Sequence, residues 1–156
     1  MNYYPWLVFF HVIMAAAFMM NLIFMQLVFE GAMRHFSAGT EKKAAAAFMQ
    51  RYWHPIVDII IVIVGITGLI LGVINFEQII TTPRMFIKVG LGGIALGCAY
   101  ANHFVFRGWK RRLAARPERS ALLDKLQKIS KILARIALIT GVVAALFGWY
   151  INYFGM

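Results

Sequence analysis

Four long apolar runs are separated by more polar connections, of which only the one between the second and third runs is short. They fall at about 5–29, 54–75, 85–106 and 132–153, and each reaches the roughly 20 residues that carry an α-helix across a hydrocarbon core. Hydrocarbon offers the backbone no hydrogen-bond partners, so such runs must satisfy their own amides as helices. Ahead of the last run, Pro117 to Arg135 repeats Leu122, Leu123, Leu126, Ile129 and Ile132 at helical spacing, with basic residues on the opposite side. That pattern predicts an amphipathic helix at the cytoplasmic interface running into the fourth span. The fold class expected is all-α: an integral membrane four-helix bundle forming one transmembrane domain over residues 1–156.

Composition agrees. The chain is 62% hydrophobic and 14% charged, with a mean hydropathy of +0.72, whereas soluble domains carry about a quarter charged residues. The first run lacks a basic leader and a small-residue cleavage site, so it is expected to remain as a helix. A net charge of +10 would suggest nucleic acid in a soluble protein. Here the cations are grouped in two connections, Arg34 to Arg51 and Arg107 to Arg135. The excess of Lys and Arg orients these connections to the cytoplasm, and attraction to anionic lipid accounts for the charge without nucleic acid. The expected location is a bacterial inner membrane, crossed four times, with both termini on the outer, periplasmic side.

The polar residues within the spans are few. One cysteine, Cys98, excludes an internal disulfide and a paired-cysteine metal site. Histidines stand at positions 11, 35, 54 and 103. An ionisable side chain in hydrocarbon is costly and marks function by default, and imidazole is a common ligand of haem iron and of copper. His35 follows Arg34 and reads as a solvated helix end. His54 and His103 fall at similar depth near the cytoplasmic surface, an arrangement suited to a haem held edge-on between axial imidazoles. His11 and Lys88 match in depth at the outer side. Lys88 and His103 are separated by 15 residues, about 22 Å of helix.

Asp58, one turn from His54, would either orient an imidazole or form a salt bridge at the rim. Lys88 would either take part in chemistry or extend its ammonium to the interface. Gly65, Gly68 and Gly72 share the stripe of His54 and Asp58, permitting close helix packing or leaving room for a flat macrocycle. Methionines lie mostly within the apolar runs, where they serve as packing.

Several short motifs bear a family likeness. Trp6–Leu–Val–Phe–Phe–His11 resembles the first helix of HemJ-type protoporphyrinogen IX oxidases. Arg51–Tyr–Trp–His54–Pro55 before a Gly-rich helix resembles their second. Thr82–Pro83–Arg84–Met–Phe–Ile–Lys88 resembles the third helix of that family and of CopD-type copper-resistance membrane domains. The HemJ resemblance implies that His11 and Lys88 serve haem b binding and activity.

The expectation is a haem-b membrane redox protein, passing electrons from a porphyrinogen or other reductant to quinone or another membrane acceptor, either as an oxidoreductase or as an electron carrier. His11, His54 and His103 are the candidate cofactor and metal ligands, with Lys88 and Asp58 as candidate catalytic groups. Copper handling is the alternative, since imidazole and thioether suit copper. A non-catalytic subunit of a respiratory membrane complex is another. Partners expected are the lipid bilayer, a quinone or porphyrin-type molecule, and further copies or subunits in the membrane.

Overall fold

The computed structural model describes residues 3–35, 39–114 and 120–154. Every regular element among them is helical: α1 (Tyr4–Ile23), a π-helical segment π1 (Phe24–Phe29), α2 (Glu30–His35), α3 (Thr40–Phe48), π2 (Met49–Trp53), α4 (His54–Ile74), α5 (Phe76–Thr81), α6 (Pro83–Tyr100), π3 (Ala101–Phe106), α7 (Arg107–Ala114) and α8 (Ser120–Phe154). Four continuous helical stretches are long and apolar enough to cross a bilayer: Tyr4–Met33, Thr40–Ile74, Pro83–Lys110 and Ser120–Tyr150. The chain is a multi-pass, all-α membrane protein with the four spans anticipated from its hydropathy.

The helices outrun the apolar runs that announce them. The second begins at Thr40 and not at His54, because the alanine-rich, charged segment Glu41–Phe48 is itself a good helix former. The amphipathic segment and the fourth span are one uninterrupted helix of 35 residues, about 52 Å long at 1.5 Å per residue. Prolines mark three starts. Pro5, Pro55 and Pro83 each sit in a first helical turn, where a missing amide is least costly. Pro55 lies within a continuous helical run and cannot donate to the Arg51 carbonyl. The turn before it widens to π geometry, with the His54 amide reaching back to Met49.

The chain divides into two compact units, residues 1–76 and 77–156. In the first, α1 and α4 pack side by side. Phe18 and Leu22 of α1 and Val57, Ile61 and Val64 of α4 are buried between them, a stripe of three- and four-residue steps on each helix. Three polar contacts fix an antiparallel register: Tyr4 with Asn75, His11 with Thr67, and Asn21 with Trp53.

In the second unit α6 packs along α8. Ala95, Ala99 and Ala137 are buried there, with Gly141 and Gly148. Lipid tails are as apolar as leucine, so close backbone approach between small residues supplies the association. The exposed large side chains, including Ile59, Ile66, Leu69, Ile94, Ile139 and Leu146, form the faces offered to lipid.

Ala137 is fully buried. Ala137→Leu should therefore lower stability by about 1–3 kcal/mol through overpacking, whereas Ile139→Leu on the exposed face should have little effect. Thermal unfolding in detergent micelles measures both; equal midpoints would contradict the assigned seam.

Candidate functional site

The first polar assembly forms around His11 on α1. Its Nδ1 lies 2.7 Å from the hydroxyl of Thr67 on α4. That hydroxyl can donate its single proton to the Ile63 carbonyl at 2.8 Å, with the Val64 carbonyl at 3.3 Å. With the Thr67 proton on the Ile63 carbonyl, the Thr67 oxygen accepts from the ring and His11 carries its proton on Nδ1; with that proton turned to the ring, the roles reverse. In the first arrangement the neutral imidazole keeps its lone pair on Nε2, free to coordinate. The ring also presses against the α4 backbone. A methyl group at Gly68 would lie 3.2 Å from His11 Cε1, so one glycine of the predicted stripe makes room for the imidazole itself. At Gly72 a methyl group would meet no atom within 4 Å.

The same helix pair holds polar contacts at both ends. The Tyr4 hydroxyl donates to Asn75 Oδ1 at 3.1 Å, and the Asn75 amide donates to the Leu71 carbonyl at 2.8 Å. At the other end, the Trp53 indole N–H donates to Asn21 Oδ1 at 2.7 Å. The Trp53 ring lies 5.0 Å from that of Phe24, so π1 and π2 meet there. Trp53 is thus a structural donor within the first unit. Asn21 is buried and would cost stability if this bond were lost.

Among the other predicted residues of this unit, His54 opens α4 and is half-buried; its Nδ1 makes no hydrogen bond, although the residue has another interaction. Asp58 is half-buried one turn further along. His35 ends α2 and is exposed, as a solvated helix end should be.

In the second unit Lys88 is half-buried against α8. Its side chain crosses Gly148 on α8: a methyl group there would stand 2.9 Å from Lys88 Cε and 3.1 Å from Nζ. Only a residue without a side chain allows that approach. His103 is half-buried in π3. Beside it, Asn102 of π3, Ser130 of α8 and Lys110 of α7 form a linked cluster. His11, His54 and Asp58 belong to the first unit, and Lys88 and His103 to the second.

Among the described residues no three His, Cys, Asp or Glu side chains gather closely enough to hold a metal ion.

Compared with known protein families, curated proteins and solved structures, the chain matches none.

Sequence reasoning missed Thr67, Asn21, Ser130 and Gly148. Thr67 lies one residue before Gly68 in the stripe already noted, and that adjacency was the available signal. Thr67→Val removes the hydroxyl at nearly constant volume and leaves His11 Nδ1 without this partner. It should cost about 1–3 kcal/mol, and Thr67→Ser should restore most of the loss. Thermal unfolding of both variants tests the pair; indistinguishable midpoints for Thr67→Val and the native chain would refute it.

Proposed function

We propose that the protein is a haem-b-binding membrane oxidoreductase or electron carrier of the HemJ-like kind, taking electrons from a porphyrinogen or similar reductant and delivering them to a quinone or other membrane acceptor. The observation that carries this reading is the His11–Thr67 hydrogen bond, which holds the imidazole in place and, with the ring proton on Nδ1, would leave Nε2 to coordinate. Ligating histidines almost always donate their other ring N–H to a fixed acceptor, which orients the ring and raises its basicity. The donor chemistry of His11 therefore fits an axial haem ligand.

Haem b, when bound, supplies a one-electron couple within the bilayer. The chain's own residues supply the rest. Thr67 holds the ring of His11, and Gly68 lets that ring lie close to α4. His54 and His103 are the further candidate ligands, and Asp58, one turn on from His54, would orient an imidazole. Lys88, lying across Gly148, holds a cationic head within a span, where it would bind a substrate carboxylate or move a proton. The resemblance of the segments around His11 and Lys88 to HemJ-type helices supports the same roles. In this reading the basic connections face the cytoplasm of a bacterial inner membrane and both termini face outward.

Oxidised and dithionite-reduced visible spectra of the purified protein test the proposal. A b-type reduced α band is expected, lost in His11→Ala. Thr67→Val should keep the band but raise the midpoint potential, because the ligand becomes a weaker donor. Protein purified without colour from haem-replete cells would overturn the reading.

Lys88 is tested separately. Lys88→Met should retain the haem spectrum and lose turnover of an anionic substrate. Gly148→Ala, which displaces the lysine head, should raise KM more than it lowers kcat. Steady-state kinetics with a porphyrinogen as reductant distinguishes the two effects.

A further inference from the structure

Ten Lys or Arg residues lie between Arg107 and Arg135, against two acids, Glu118 and Asp124. Most described members of this group, including Arg112, Lys125, Lys128, Lys131 and Arg135, are exposed. Their charge is diffuse and hydrated. Lys110 is different. It is half-buried at the junction of α7, π3 and α8, and its ammonium donates to the Ser130 hydroxyl at 2.5 Å. Ser130, itself only 6% exposed, passes its own proton to Asn102 Oδ1.

The directions of these bonds determine what the cluster still requires. Ser130 uses its proton on Asn102 and its oxygen on Lys110. Asn102 uses its carbonyl oxygen, which leaves the two protons of its amide. Lys110 uses one of three ammonium protons. The remaining hydrogen-bonding capacity of Lys110 and Asn102 is donor capacity, and Ser130, the hydrogen-bond partner of this cation, is neutral. A partly desolvated ammonium favours an anionic acceptor. Arg107, one turn earlier on α7 and half-buried, adds a second cation nearby, and the exposed Trp109 is of the kind that lies at headgroup level.

We propose that Lys110, Asn102 and Ser130 form a discrete phosphate-oxyanion site at the basic end of the third span, occupied by the headgroup phosphate of an anionic phospholipid. Lys110 Nζ and Asn102 Nδ2 donate to the phosphate oxygens, and Ser130 holds both donors in place. The site differs from the general attraction of a basic surface for anionic lipid, because it depends on one half-buried, hydrogen-bonded cation and not on the count of exposed ones.

The test is the thermal unfolding midpoint of the full chain in neutral detergent, titrated with phosphatidylglycerol, phosphatidylcholine or inorganic phosphate. Phosphatidylglycerol should raise the midpoint in a saturable way, and phosphatidylcholine should not. Lys110→Met should weaken apparent phosphatidylglycerol affinity about tenfold, the loss of one charge-assisted bond. Lys131→Met, which removes the same charge from the exposed face, should leave it within twofold. Lys110→Arg should retain binding. Should Lys110→Met fail to fold, Asn102→Asp serves instead, since a carboxylate in place of the amide should abolish saturable stabilisation.

Stabilisation by inorganic phosphate that matches the lipid would identify a free phosphate as the ligand of the same site. Equal losses in Lys110→Met and Lys131→Met, or no saturable response to either phosphate source, would overturn the proposal.

Discussion

A polar side chain inside a hydrocarbon layer must find its partner on a neighbouring helix, and that requirement sets the register of this protein. In the first unit, three polar pairs run along the α1–α4 seam: Tyr4 with Asn75, His11 with Thr67, Asn21 with Trp53. Dispersion between Phe18, Leu22, Val57 and Ile61 supplies attraction but tolerates sliding, because one aliphatic contact resembles the next. A hydrogen bond at 2.7 Å does not tolerate it. In the second unit the same logic applies with different parts. Small residues bring α6 and α8 close, while Lys88 over Gly148 and Asn102 on Ser130 secure the two ends.

The apolar runs and the basic connections were enough to read the four spans and the amphipathic lead into α8, because bilayer thickness and backbone satisfaction leave few other solutions. His11 and Lys88 were legible for the same reason: ionisable groups stand out in an apolar run. Their partners were not. Thr67 also bonds its own helix through the Ile63 carbonyl, which is the ordinary behaviour of threonine in an apolar helix and conceals its second role. Gly148 was hidden among residues that look like packing, since its importance lies in what a neighbour places over it. The π segments were invisible to hydropathy, which follows a 3.6-residue period and is insensitive to one widened turn. Only π2 has a local signal, Pro55 two residues beyond its end.

These widened turns bear on the chemistry. π2 and π3 carry or border Trp53, His54, Asn102 and His103. A π turn rotates the following side chains away from the α-helical progression, and such segments recur at functional sites. Here they concentrate polar groups at one end of their spans, while His11 and Lys88 lie near the opposite ends of theirs. A division of labour within each helix follows, with the regular stretch providing a straight seam and the irregular stretch reorienting side chains near the surface.

The length of α8 has a mechanical meaning. Its 35 residues are unbroken, and the fully buried Ala137 stands at the middle of that length. A stiff rod held at its centre behaves as a lever. A tilt of about 5° around that fulcrum moves each tip of a ~52 Å helix by roughly 2 Å in opposite directions. Lys128 and Lys131 ride on one arm and Gly148, beneath the Lys88 head, on the other. A force that tilted the basic arm would therefore also change how closely the far arm approaches that lysine.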